Sequence, residues 1–257
     1  MTAPGWRQRW SVLQWSASCA FTAVLFVSAL VWAAVIVLCG WLPVRRLHAF
    51  ARGWARFNLW LLRRLCGLDW VLEGREHIPA TGAHVTMWKH SSSFETIAQM
   101  LIFPAQAWVL KRELYWIPLV GWAIWLLRCI GIDRGAGHRA VRQVLQQGRE
   151  RLAAGLWVLI FPEGTRVASG ESRRYGVSGV LLAAETGALL VPVAHDAGEF
   201  WARRGLLKRP GTIRVVIGPP LAARGRDPRA VNAELQQWID GQTAAITGRA
   251  SEQRPAL

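Results

Sequence analysis

From Trp15 to Val44 the chain carries no charged side chain, and Arg45 and Arg46 end the run abruptly. A helix needs roughly 20 apolar residues to cross a bilayer core, so the run is longer than a span requires. A secretory leader has a shorter apolar core, about 7–15 residues, followed by a small-residue cleavage site. The run therefore predicts a retained helical membrane anchor. A second apolar stretch, Phe57 to Leu72, is interrupted by Arg63 and Arg64. It fits either the returning arm of a helical hairpin or a helix lying in the interface, so the anchor either spans or dips. Arg45, Arg46, His48, Arg52 and Arg56 follow the first run, against Arg7 and Arg9 before it. That asymmetry places the part after the run on the cytoplasmic side.

From about residue 73 short apolar runs alternate with helical patterns. Ala83–Trp88, Ala107–Leu110, Leu156–Phe161, Ala188–Ala194 and Ile213–Ile217 are expected strands. Ser91–Phe103, Arg139–Ala154 and Val180–Glu185 are expected helices, with a last helix opened by Asp227-Pro228 and carrying Val231, Leu235 and Ile239 on one face. Alternating strands and helices predict an α/β fold. The expected architecture is a central, mostly parallel sheet flanked by helices and preceded by the N-terminal hydrophobic anchor. The expected division is an anchor over 1–72, a catalytic domain over 73–247 and a mobile tail over 248–257. Leu114–Leu127 also lacks charge and contains Trp116, Trp122 and Trp125. It is either a buried helix or a surface that meets the bilayer or an acyl chain.

The formal net charge is +15, which points to an anionic partner: nucleic acid, acidic lipid or a phosphorylated substrate. The apolar run selects lipid, and no nucleic-acid module is recognisable. The 16 tryptophans suit either a membrane interface or a core. Cys19, Cys39, Cys66 and Cys129 form no C-x-x-C pair and have no histidine cluster beside them. Neither a zinc site nor a disulfide framework is expected, and the H-E-x-x-H spacing of metal hydrolases is missing.

Three constellations carry the chemistry. In Lys89-His90-Ser91-Ser92-Ser93-Phe94-Glu95 a strand hands over to a helix, which displays a histidine suited to general-base work near neutral pH. Glu95, in the early turns of that helix, reaches back to orient the imidazole and stabilise its charged form. In Phe161-Pro162-Glu163-Gly164-Thr165-Arg166 a tight turn at a strand end offers N–H groups, a hydroxyl and a planar guanidinium, a cradle for phosphate. Lys111 and Arg112 follow another strand and would complete the anion site. A serine hydrolase would need a nucleophile in a G-x-S-x-G turn. Gly176-Val177-Ser178-Gly179-Val180 lacks the final glycine.

Taken in order, these blocks resemble the lysophosphatidic acid acyltransferases, the 1-acyl-glycerol-3-phosphate acyltransferase family. His90 to Glu95 looks like the family's histidine–four-residue–acid block, and Lys111 to Gly121 like its second block. Phe161 to Arg166 is similar to the phosphate-binding block, and Val191-Pro192-Val193 to the fourth. The family's acid is usually aspartate, here Glu95, and the residue before its histidine is commonly asparagine, here Lys89. The resemblance implies acyl transfer from acyl-CoA or acyl-carrier protein to the free hydroxyl of a lysophospholipid, without metal, cofactor or nucleic acid. It implies His90 as base and Glu95 as its orienter. Arg166 with Lys111 or Arg112 would hold phosphate, and Glu163, Gly164 and Thr165 would shape the turn. The expected location is a bacterial inner membrane with the catalytic domain facing the cytoplasm. Acylation of another lyso-lipid, such as a lyso-ornithine lipid, and non-enzymatic lipid binding are the alternatives.

Overall fold

The computed structural model describes residues 11–252, with side chains as far as residue 248. Arg7 and Arg9 lie outside the described residues. Helix α1 runs Val12–Leu38 and begins at Ser11, whose side chain accepts from the Gln14 N–H at 3.2 Å. A turn through Pro43 leads into α2, Val44–Cys66. Helix α2 is amphipathic: Leu47, Ala51, Ala55, Leu59 and Leu62 are buried at helical spacing, Arg45, Arg46, Arg56, Arg63 and Arg64 are exposed, and the half-buried Arg52 donates to the Phe103 carbonyl. Gly67, at φ +64°, ends it in the left-handed conformation, which glycine adopts without a Cβ clash.

Strand β1, Leu68–Glu73, follows immediately. The sheet therefore begins at Leu68, inside the segment assigned from sequence to the anchor. The apolar stretch Phe57–Leu72 concealed a switch from helix to strand at Gly67. The remaining strands are β2 (Val85–Trp88), β3 (Gln106–Lys111), β4 (Ile130–Ile132), β5 (Trp157–Ile160), β6 (Leu189–His195), β7 (Gly211–Ile217) and β8 (Leu221–Ala222). Their order across the sheet is β1-β7-β6-β2-β5-β3-β4, with β8 also pairing β6. Only the β6 pairs with β7 and β8 are antiparallel; the rest are parallel, as the alternation predicted.

Helices cover both faces: α3 (Phe94–Ile102), α4 (Val120–Leu126), α5 (His138–Ala153), α6 (Ser178–Thr186), the short α7 (Ala197–Phe200) and α8 (Pro228–Glu252). The strands alternate between two cores. Trp88, Trp157, Leu159, Val191 and Val193 face α1, α2 and α3. Val85, Met87, Val158, Ile160 and Leu190 face α5, α6 and α8. Burial on both faces is what a parallel sheet requires. A buried polar ladder ties α3 to this framework. Thr86 Oγ1 donates to Gln106 Oε1 at 2.8 Å, and Gln106 Nε2 to Gln99 Oε1 at 2.6 Å.

Helix α8 continues beyond the point where a mobile tail was expected, as far as Glu252. Ile246 is still buried with Val231, Leu235 and Ile239, which holds the helix to the sheet up to that point. Residues 253–257 of that tail lie outside the described residues.

Helix α1 is long and apolar enough to cross a membrane, yet it is bound to the domain along its length. Near its start Gln14 Nε2 donates to the carbonyls of Cys66 at 3.2 Å and Lys208 at 2.6 Å. The buried Lys208 ammonium donates to the Ser18 and Leu206 carbonyls, bonds Thr22 Oγ1 and sits over the rings of Phe21 and Trp201. Near its end Ala33 and Ile36 pack with Leu110 and Ala123. The opposite face leaves Phe26, Val27, Leu30 and Val31 exposed. The charge-free stretch Leu114–Leu127 divides in the same way. Ala123 and Leu127 are buried, and Trp116, Trp122 and Trp125 stand exposed. One face of that stretch is thus buried and the other is an exposed surface.

Candidate active site

The strand ends bring the chemistry together. Register pairs Met87 with Ile160 and Trp88 with Val193. Lys89-His90 after β2, Phe161-Pro162-Glu163 after β5 and Ala194-His195 at the end of β6 therefore emerge side by side. This is the carboxyl edge of the parallel strands, where open α/β sheets place ligands.

His90 Nδ1 lies 2.8 Å from Glu95 Oε1. The same oxygen accepts the N–H of Ser91 at 3.1 Å and of Ser92 at 2.9 Å. Glu95 thus stands in the first turn of α3, where a carboxylate is favoured by the helix dipole, and it also satisfies two amides ahead of the helix. Ser93 is the capping residue but makes no side-chain cap bond, and Ser92 Oγ accepts from the Phe94 N–H instead. Burial pushes the Glu95 carboxyl up, but the His90 hydrogen bond, His195 and the Ser92 amide together hold it below the usual carboxylate range. An ionised Glu95 accepts the proton on Nδ1, so Nε2 is the free basic nitrogen of His90.

The second motif supports the first. Phe161 and Gly164 close a turn through a 3.0 Å N–H bond, with Gly164 at φ +69°. The Phe161 ring stacks on His90 with centroids 3.9 Å apart and planes 16° from parallel. Glu163 points inward, where Oε1 accepts the His90 N–H at 3.3 Å, and the Val167 N–H donates to the His90 carbonyl at 2.8 Å. Lys89, also buried, places its ammonium 3.4 Å from Glu163 Oε1 and 3.0 Å from Asp240 Oδ1 on α8. Burial pushes the Glu163 carboxyl up to about 7, with Lys89 opposing. Gly164 and Thr165 are exposed on the turn.

An apolar cavity of about 350 Å³ opens beside His90, walled by Trp32 and Ala33 of α1, Ala51 and Trp54 of α2, Met100 of α3 and Ala123 and Ile124 of α4. Two guanidinium groups line it, Arg166 and Arg134. Arg166 Nε is buried without a hydrogen-bond partner, and neither arginine forms an ion pair among the described residues. Lys111 and Arg112 are not brought into this cavity. Lys111 pairs with Glu113 at 3.5 Å, both exposed, and the exposed Arg112 with the half-buried Asp133 at 3.0 Å. The Arg112–Asp133 pair instead fixes the turn that carries Arg134, where Asp133 Oδ1 also accepts from the Gly135 N–H. Sequence reasoning missed Arg134 because β4 is only three residues long; its placement straight after a strand was the available signal. It also missed His195, which is fully buried beside Glu95. No group of three or more His, Cys, Asp or Glu side chains among the described residues is placed to hold a metal ion.

With this geometry in hand, comparison with known proteins is informative. A sequence model of the family described as Acyltransferase matches residues 70–196. The chain is 41% identical over 233 residues to a 1-acyl-sn-glycerol-3-phosphate acyltransferase of Pseudomonas aeruginosa, covering 88% of this chain and 90% of that one. It is 27% identical over 180 residues to the human 1-acyl-sn-glycerol-3-phosphate acyltransferase alpha, covering 69% and 64%. In fold it is similar to the crystal structure of the 1-acyl-sn-glycerophosphate acyltransferase PlsC of Thermotoga maritima, with a TM-score of 0.75 at 19% identity, covering 90% of this chain and 95% of that one.

Proposed function

The chain belongs to the 1-acyl-sn-glycerol-3-phosphate acyltransferase family, and on that premise we propose that it acylates the free hydroxyl of 1-acyl-sn-glycerol-3-phosphate to give phosphatidic acid. The supporting observation is the His90–Glu95 pair at an apolar cavity that Arg134 and Arg166 also line. His90 Nε2 takes the proton of the acceptor hydroxyl. The oxygen attacks the carbonyl carbon of an acyl thioester, the carbon–sulfur bond breaks, and the thiolate recovers the proton from the imidazolium. Glu95 stays ionised and stabilises that imidazolium. Holding both substrates at one surface supplies a further share of the rate. A lipid-binding protein without catalysis would use the arginines and the cavity but has no need of an oriented, carboxylate-paired imidazole.

A donor-by-acceptor matrix on the detergent-solubilised chain tests the proposal. Turnover is expected with lysophosphatidic acid and either acyl-CoA or acyl-carrier protein. Faster acylation of a lyso-ornithine lipid would move the chain to another acceptor, and turnover with none would leave lipid binding alone.

The cavity takes the acyl chain. Its volume lies in the range of small-ligand pockets, and its apolar walls suit methylenes, each worth about 0.8 kcal/mol when buried. Ala123→Leu displaces two methylenes or so and is expected to lower kcat/KM for long-chain donors on the order of tenfold, with shorter donors spared. Competition between donors of two chain lengths reads this; an unchanged ratio would place the chain elsewhere.

A helix held to its domain at both ends lies along that domain. Helix α1 therefore enters one leaflet of a bacterial inner membrane with its exposed face, together with the tryptophans around α4, rather than crossing it. The catalytic domain stays at the cytoplasmic surface. With Cys19 and Cys39 replaced by serine, a cysteine at Val12, which is 83% exposed at the start of α1, is expected to resist impermeant thiol reagents applied from the opposite side in oriented vesicles. Labelling from that side would mean a crossing helix.

A further inference from the structure

The far side of Glu95 is occupied by a second imidazole, that of His195. It has no solvent exposure and stands at the end of β6, next in register to the Lys89-His90 segment. Its tautomer is fixed by its neighbours. The Ala197 N–H donates to Nδ1 at 3.3 Å, so the ring proton sits on Nε2 and is donated to the Lys89 carbonyl at 2.8 Å. That same Nε2 lies 3.8 Å from Glu95 Oε2. Glu95 Oε1 is saturated by His90, Ser91 and Ser92, whereas Oε2 is buried with no hydrogen-bond partner. His195 Nε2–H thus donates to the carbonyl just before the base and stands near the orphan oxygen of the acid that orients it.

We propose that His195 is a positioning residue for acyl transfer, acting on His90 through the Glu95 carboxylate and the Lys89 carbonyl. A wholly buried carboxylate with one unpaired oxygen is costly to keep ionised. The Nε2–H dipole offsets part of that cost, and at 3.8 Å it does so as an electrostatic contact rather than as a hydrogen bond. The bond to Lys89 fixes the last residue of the strand exit, and with it the direction in which His90 leaves the sheet. Burial holds the His195 imidazole below its usual range, in keeping with a neutral donor. The other charged groups facing the cluster are Lys89, His90, Glu163 after β5 and, through Lys89, Asp240 on α8. Asp196, the next residue, turns its carboxylate to the Arg214 N–H. Losing the dipole eases protonation of the Glu95–His90 pair, so its first proton is taken up at higher pH.

Two amides of similar polarity separate positioning from packing. Gln at 195 places an N–H about where Nε2–H stands, and Asn places it about where Nδ1 stands. In the full-length solubilised chain, H195N is expected to lower kcat by about 10- to 100-fold, the range of one lost hydrogen bond to a charged or catalytic group. Its KM for lysophosphatidic acid should be unchanged, and the acid limb of its kcat–pH profile should move to higher pH. H195Q is expected to recover most of the lost kcat and return the limb. Equal kcat and equal limbs in the two variants, including loss of both through unfolding, would overturn the proposal and leave His195 a packing residue. The inference rests on His90 being the base, and H90A is measured alongside. A turnover-competent H90A removes that base, whereas an inactive H90A with matched H195Q and H195N removes only the role of His195.

Discussion

Replacing His90 with alanine is expected to lower kcat by about three orders of magnitude while leaving the chain folded and membrane-associated. General-base catalysis contributes roughly 10²- to 10⁴-fold, and a thousandfold loss corresponds to about 4 kcal/mol of barrier. The fold should tolerate the change because the groups that build the loop do not need the imidazole. Glu95 Oε1 keeps the Ser91 and Ser92 amides, and the His90 backbone keeps Glu163 and Val167. Glu95→Gln preserves an acceptor for those amides but cannot stabilise an imidazolium, so a smaller loss is expected. The double variant should be no worse than His90→Ala alone, since groups that act as one unit are not additive. Turnover of lysophosphatidic acid with acyl-CoA, beside circular dichroism and membrane fractionation, measures all three. Near-normal turnover of His90→Ala would remove the base assignment.

The sequence made the sheet and the His–Glu pair legible for a physical reason. Strands buried on both faces produce short continuous apolar runs such as Leu156–Phe161, and these stand out against amphipathic helices. The five expected strands fall within a few residues of β2, β3, β5, β6 and β7. What was hidden lies where that contrast fails. Strand β1 follows the leucine-rich end of an amphipathic helix across a single glycine, and β4 is too short to show a period. Missing β4 concealed Arg134. The cationic pair Lys111-Arg112 attracted attention by adjacency, but Lys111 ends β3 and Arg112 opens a 3-10 turn, and each found a carboxylate partner. Lys89 shows the same limit. It stands where the family commonly has asparagine, yet Glu163, 74 residues on, and Asp240, 151 residues on, make it a buried tie between the His90 loop and α8. Partners so distant in sequence leave no trace in local spacing.

That redistribution of charges gives the second large effect. Arg134→Ala and Arg166→Ala are each expected to raise KM for lysophosphatidic acid by about 10- to 100-fold, because a hydrogen bond to a charged group is worth about 1.5–3 kcal/mol. Their kcat should change far less, since phosphate binding is shared by ground and transition states. Both residues line the cavity beside His90, and neither forms a close ion pair among the described residues, the Glu113 carboxylate acting on Arg134 from farther off. An Arg–phosphate contact is planar and bidentate, so Arg166→Lys should recover only part of the loss. Lys111→Ala and Arg112→Ala remove exposed ion pairs, each worth about 0–1 kcal/mol, and should change KM by no more than about threefold. The acceptor supplies the control. On monoacylglycerol, which lacks phosphate, the arginine variants should match the unmodified chain, so the preference for phosphate collapses from one side only. A larger effect at Lys111 than at Arg134, or a preserved preference in both arginine variants, would return the phosphate to the strand-end lysine and empty this cavity of its anion site.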